Sequence, residues 1–166
     1  SLDETELANI IYKYGEERKS RQIARKIVEV RGTKEITTTT ELADIIRSVV
    51  KAGKDTDPAT KTFQALRIYV NDELGELERG LESAVDMLQE SGRLVVVTFH
   101  SLEDRIVKNF FKEMGGKMPN GSRYLPEVEK VDAVLKEVSK AIHPSKGELE
   151  KNRRSRSAKL RYVVKK

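Results

Sequence analysis

The segment Gly92–Arg105, GRLVVVTFHSLEDR, constrains the fold most, because it reads as a strand that runs directly into a helix. Leu94 to Val97 form an unbroken apolar, mostly β-branched run, the pattern of a strand covered on both faces as in a parallel sheet. Ser101 stands three residues before Asp104, a capping-box spacing, and Leu102, Ile106, Val107, Phe110 and Met114 then keep helical period. In open α/β sheets ligands gather beyond the carboxyl ends of strands, so His100 and Ser101 are expected at the edge of a site.

Upstream of this junction the chain reads as helical. Asp3-x-x-Glu6 opens a helix with the stripe Leu7, Ile10, Ile11 and Tyr14, stopped by Gly15. A second helix is expected over about 16–31, with Ile23, Ile27 and Val30 on one side and Gly32 at its end. Thr38-x-x-Glu41 opens a third, with Leu42, Ile45, Ile46, Val49 and Val50 on one face, closed by Gly53 before a polar loop. Asp57-Pro58 pairs an N-cap with proline at the first helical position. Helical period then continues to about Glu90, with Gly75 and Gly80 expected to divide or bend it.

Downstream, residues 115–130 read as a loop, followed by a strand near 132–138 and a short helix near 145–151. A last strand lies near 159–165, where Leu160, Tyr162 and Val164 alternate with Arg161, Val163 and Lys165. About three strands after some ninety helical residues give an α/β fold with an open sheet edge. Self-association through that edge is one way to satisfy it.

Composition removes several function classes. No run approaches the ~18 apolar residues of a membrane span, and the first residues are acidic and helix-like, unlike a signal peptide. The absence of cysteine excludes disulfides and thiolate metal sites and fits a reducing, cytoplasmic setting. Two histidines, His100 and His143, argue against a zinc cage. The lack of Trp and an aromatic content of 5% argue against a base-stacking platform. No Gly-x-Gly-x-x-Gly, Gly-Lys-Ser/Thr or Gly-x-Ser-x-Gly motif is present, so the chain shows neither a nucleotide-cofactor loop nor a nucleophile elbow.

The net charge of +5 is uneven: residues 151–166 carry eight Lys or Arg and no acid, leaving −3 over the first 150. Such a segment suits phosphate contact or a solubilising terminus, and Arg153, Arg154 and Arg156 interleave there with serines. Arg18, Arg21 and Arg25 fall at i, i+3 and i+7, which places three guanidiniums on one helix face. That face either meets phosphates or is a solvated surface paired with Glu16, Glu17 and Glu29. Asn71 interrupts an apolar stripe near Arg67 and Glu73, marking either a contact to the strand-end site or a junction between helices. His100 and Ser101 either bind a polar substrate edge or serve only as a helix cap.

Six segments, in order, resemble one family: YGEERKSRQIA (14–24), TTELA (39–43), PATKTFQALRI (58–68), VNDELGELE (70–78), FHSLEDR (99–105) and RSAKLR (156–161). The family is the bacterial small-subunit ribosomal RNA cytosine-N4 methyltransferases, the MraW or RsmH family. Arg153 departs from it, since proline usually precedes the arginines there. The resemblance implies S-adenosylmethionine-dependent methylation of N4 of a decoding-site cytidine, with ribosomal RNA and the small subunit as partners. It also implies an N-terminal part carrying the cofactor loop and catalytic strand, which nothing in residues 1–166 matches.

The chain is therefore expected to be an α/β C-terminal portion, inactive alone: a partial Rossmann-like methyltransferase core with an N-terminal helical insertion. The insertion covers 1–57, extending up to about 71, and the core part 58–166. His100, Ser101, Arg105 and Asn71 are expected on the cytidine side of the cleft. Arg18, Arg21, Arg25, Arg153, Arg154 and Arg156 are expected on RNA phosphate. No catalytic, cofactor-binding or metal-binding residue is assigned. The alternatives are a non-catalytic RNA-binding or ribosome-assembly module on the same scaffold, or a piece with no independent role.

Overall fold

The computed structural model describes residues 2–51, 57–116 and 133–166. Its contacts divide the chain into two compact units, residues 1–73 and 74–166. Among the described residues the first unit holds α1 (Glu4–Gly15), α2 (Ser20–Thr33), α3 (Thr39–Val49) and α4 (Thr60–Asn71). Reciprocal capping boxes open α1 through Asp3 and Glu6 and α3 through Thr38 and Glu41, as their spacing predicts. The Glu41 carboxyl is pulled down to about 2, first by the Lys34 ammonium and then by the Thr37 and Thr38 N–H groups.

α1 packs on α2 and α4 and buries Leu7, Ile11, Ile23, Ala24, Ile27 and Ile46 in one core. Fully burying such an aliphatic side chain contributes about 1.5–3 kcal/mol. Gly15 does not end α1 by supplying a left-handed residue; its neighbour Glu16 does so, at φ 50°. Gly15 instead admits α4, because a Cβ there would stand 2.6 Å from the Lys61 carbonyl oxygen.

Other boundaries also differ from the sequence pattern. Gly32 lies inside α2, which runs on to Thr33. The long helical stretch breaks at Asp72, φ 49°, while Gly75 and Gly80 sit within α5 (Glu73–Met87). A short polar side chain tolerates the left-handed region, and the packing of Leu77, Leu81 and Val85 overrides the weak helix propensity of the glycines. Asp57 Oδ1 accepts the Ala59 N–H at 2.8 Å, but regular helix begins only at Thr60. Gly53 and most of the expected loops at 54–57 and 115–130 lie outside the described residues.

The second unit comprises α5, β1 (Arg93–Thr98), α6 (Ser101–Met114), β2 (Leu135–Lys136), α7 (Lys146–Lys151), a 3-10 turn (Arg153–Ser157) and β3 (Lys159–Lys165). The sheet order is β1-β3-β2, with β3 antiparallel to both neighbours, so β1 and β2 run parallel to each other. One face carries Leu94, Val96, Val163 and Leu135 against Leu81 and Val85 of α5 and Val107 and Phe111 of α6.

The other face is open along β1 among the described residues, with Val95 53% exposed, Val97 48%, and Phe99 beyond the strand end 57%, whereas Val164 of β3 on the same face is buried. The parallel strand buried on both faces is thus corrected to an antiparallel edge strand buried on one. The apolar run equips both faces for burial, but helices pack on only one of them here. β2 is two residues long, shorter than the strand expected near 132–138, whose start lies outside the described residues. β3 and α7 fall where expected. Among the described residues no helix is long and apolar enough to cross a membrane.

Candidate functional site

β1 ends at Thr98 and α6 begins at Ser101, so Phe99 and His100 turn the chain. The cap sits one residue earlier than the spacing predicts: His100, not Ser101, is the N-cap, and Glu103 completes the box. Glu103 Oε2 accepts the N–H groups of Phe99 at 2.8 Å and His100 at 3.2 Å. The Glu103 N–H in turn donates to His100 Nδ1 at 3.4 Å.

The reason lies in Asp104, the expected cap partner, whose carboxylate is engaged from β3. Arg161 donates from Nε to Oδ1 at 2.7 Å and from Nη2 to Oδ2 at 3.2 Å, and Lys159 Nζ donates to Oδ2 at 3.2 Å. Arg161 is the main cause holding the Asp104 carboxyl below the usual carboxylate range; burial opposes it and Lys159 reinforces it.

With Nδ1 accepting, the hydrogen-bond pattern assigns the His100 proton to Nε2. That atom is buried 3.3 Å from Glu103 Oε1 but off the direction of a hydrogen bond. His100 is thus committed to the helix cap. Ser101 and Arg105 are exposed in the first turns of α6.

In the helical unit, Arg18 and Arg21 line a groove of about 610 Å³ with Asn9, Tyr12, Lys19 and Gln22. Arg25 is not among these; its Nε lies 3.5 Å from Glu4. Two acids that the sequence offers as partners are used elsewhere. Glu17 Oε1 accepts the Lys19 N–H at 2.9 Å, and Glu29 pairs with Lys26 at 3.0 Å. Among the described residues neither Arg18 nor Arg21 is ion-paired. α2 opens on Lys19 without a side-chain cap, so the partial positive charge of its first turn adds to the same field. Sequence reading passed over Tyr12, which is 64% exposed and lies off the stripe of Leu7, Ile10, Ile11 and Tyr14. An aromatic ring on the polar face of an amphipathic helix is the signal that finds it.

The eight cations after residue 150 divide by role. Lys159 and Arg161 face Asp104, and Lys165 Nζ donates to the carbonyls of Val85 at 2.8 Å and Leu88 at 2.9 Å, capping α5. Arg153, Arg154 and Arg156 are exposed on the 3-10 turn. Asn71 ends α4 and donates to Glu73 Oε1 at 3.3 Å, beside Arg67, which holds both Glu73 oxygens at 2.7 and 3.0 Å. A second cavity, about 470 Å³, borders Asp104 and Arg161 and carries Lys108, Lys112 and Lys140 on its wall.

The model of the MraW methylase family matches residues 1–166. The chain belongs to the MraW methylase family. Within it, the ribosomal RNA small subunit methyltransferase H of Granulibacter bethesdensis is 55% identical, spanning 98% of this chain and 50% of that protein. The proteins of the same name from Paramagnetospirillum magneticum and Rickettsia africae are 56% identical, over 97% of this chain and 52% and 54% of their own length. The chain therefore spans about half the length of these curated relatives.

Membership of the MraW methylase family implies use of S-adenosylmethionine, whose sulfonium is a cation. The two cavities above, and a third at Arg47, Asp57 and Arg67, do not fit it. Each wall carries Arg or Lys, and the carboxylates there, Asp104 and Asp57, are already held by Arg161 and Arg47. A sulfonium placed in any of them meets like charge, and the carboxylates at hand are already neutralised by arginine.

Proposed function

We propose that this chain forms the C-terminal portion of a Rossmann-like, S-adenosylmethionine-dependent methyltransferase acting on N4 of a cytidine in small-subunit ribosomal RNA. The family match over residues 1–166 carries this reading, because it takes in both the β1–α6 junction and the groove at Arg18 and Arg21. The relatives' name, ribosomal RNA small subunit methyltransferase, supplies the substrate class. A βαβ path from β1 through α6 to β2, with β3 inserted antiparallel between them, supports the C-terminal placement. The helical region is read as the insertion, and the compact-unit boundary after Glu73 favours its longer extent, to about 71. A ribosomal RNA substrate implies work in the cytoplasm. The edge of β1 that has no strand partner among the described residues is the proposed site of sheet extension or self-association.

Methylating an exocyclic amine depends on holding the nitrogen in line with the methyl donor. This chain's part is to bind and orient. The His100 cap and the Arg161–Asp104 pair fix α6 against the sheet, which sets Ser101 and Arg105 at the strand end for the cytidine side. Arg18, Arg21, Arg153, Arg154 and Arg156 are exposed guanidiniums suited to phosphate. Arg25 joins them by exchanging its exposed Glu4 contact, a weak pair.

The test is a chimera in which these residues replace the matching half of the Granulibacter bethesdensis protein. Tritium from S-adenosylmethionine is expected to reach cytidine in small ribosomal subunits with the chimera and not with this chain alone. A folded chimera that binds the subunits but transfers no label would favour the non-catalytic RNA-binding alternative. Micromolar calorimetric binding of S-adenosylmethionine to this chain alone would overturn the assignment of the cofactor site to other residues.

A further inference from the structure

We propose that the Tyr12 groove receives one unpaired nucleotide of RNA, with its base stacked on the Tyr12 ring and its phosphate held by Arg18 and Arg21. The proposal rests on reading the chain as RNA-contacting, and goes beyond it by naming a strand state and a base-binding residue. At about 610 Å³ the groove falls within the roughly 300–1,000 Å³ of small-ligand sites.

The Tyr12 ring is 64% exposed and packs in neither core, so holding the fold together does not explain it. Lys13 lies over the face of Tyr14 at 4.9 Å, whereas among the described residues the Tyr12 ring has no aromatic, cationic or hydrogen-bonding partner. The groove wall carries Arg18, Lys19 and Arg21 and no carboxylate. Asn9 and Gln22 add amide donors and acceptors that match the edge of a base.

Tyr12 stands on α1 and Arg21 on α2, tied together by Ile11 and Ile23, both fully buried. α2 begins only at Ser20, so Arg18 lies in the short turn that joins the two helices rather than on the expected helix face. That turn is held by the Lys19 N–H donating to Glu17 at 2.9 Å. A base in a duplex hides both faces in the stack, whereas an unpaired one offers a face to an aromatic side chain. One ring takes one base, short of the multi-aromatic platform that the composition argues against, and ring and cations together select an unpaired nucleotide.

Fluorescence anisotropy of the full chain with a labelled RNA decamer, single-stranded or annealed to its complement, over a potassium chloride series tests this. Tyr12→Leu keeps a good helix former and is expected to weaken single-strand binding roughly five- to 150-fold. It leaves duplex binding and the salt slope unchanged, and Tyr12→Phe, which keeps the ring, retains the affinity. Arg21→Gln is expected to lower the single-strand salt slope by about 0.7.

If Tyr12→Leu binds like the parent, or Tyr12→Phe loses as much as Tyr12→Leu, stacking is overturned. A weakened Arg21→Gln in that case leaves the phosphate-contact reading standing. If the parent chain binds neither RNA at low salt, both the groove proposal and the RNA-contacting reading fall.

Discussion

Arg161 of β3 grips Asp104 of α6 across 57 positions of sequence, with bonds of 2.7 and 3.2 Å and each side chain only 11% exposed. This pair joins helix to sheet and releases Glu103 to cap α6 with His100. Asp104 shares the first turns of α6 with Ser101 and Arg105, so loss of the pair is expected to reach both stability and those two proposed cleft residues.

Removing one partner leaves the other charge unneutralised by it in a largely buried position beside the second cavity. Asp104→Ala is expected to cost about 3–5 kcal/mol in urea unfolding followed by far-ultraviolet circular dichroism. Replacing both residues, as Asp104→Leu with Arg161→Met, is expected to cost less than the two single changes summed. Strict additivity of the singles would show that the two side chains are not coupled.

The same pair predicts an acid-side loss of stability. Asp104 has a folded-state pKa below its unfolded value of about 3.9, so its stabilisation is full above that pH. It is lost as pH falls below about 3.9 toward the folded value. Urea midpoints measured from pH 7 down to pH 2.5 should fall more steeply in the parent than in Asp104→Asn. Parallel curves would remove the ionised pair from the account.

Two glycines in helices should respond in opposite directions. Gly15→Ala drives a Cβ to 2.6 Å from the Lys61 carbonyl oxygen, a backbone atom that cannot swing away. A loss of roughly 1–3 kcal/mol is expected from such overpacking. Gly80→Ala meets nothing within 4 Å, and better helix propensity should add about 0.5–1 kcal/mol. Chemical denaturation of both variants decides, and a neutral Gly15→Ala would refute the close approach of α1 and α4.

Lys165 serves as a helix cap from the far end of the chain. Lys165→Met removes its bonds to the Val85 and Leu88 carbonyls while keeping most of the aliphatic stem. A cost of about 1–2 kcal/mol is expected, with faster amide exchange concentrated in the last turn of α5. Exchange that quickens evenly over the unit would point to a general loosening instead.

Much of the local architecture was legible from residue order. The boxes at Asp3 and Glu6 and at Thr38 and Glu41 and the stripe of α1 depend on partners within a few positions, and the strands at 93–98 and 159–165 announce themselves by local residue pattern although their ladder joins them across the chain. The β1–α6 junction was legible as a strand running into a capped helix for the same reason. Its cap was misplaced by one residue because the choice between Ser101 with Asp104 and His100 with Glu103 is made by Arg161, far along the chain.

Tertiary packing alone decided where the charges went. Sequence order places Arg18, Arg21 and Arg25 on one face and eight cations after residue 150, but only the fold separates Arg25, beside Glu4, from the groove pair. It likewise turns Arg161, Val163 and Lys165 toward the helices and leaves Arg153, Arg154 and Arg156 in solvent. The role of Gly15 was hidden for the same reason, since the atom that requires it belongs to Lys61. Hydrogen bonds and periodicity within a turn or strand are encoded locally. The ion pairs of Arg25 and Asp104, the Lys165 cap and the approach of Lys61 to Gly15 depend on residues brought together from 21 to 80 positions apart, and chain order does not state those distances.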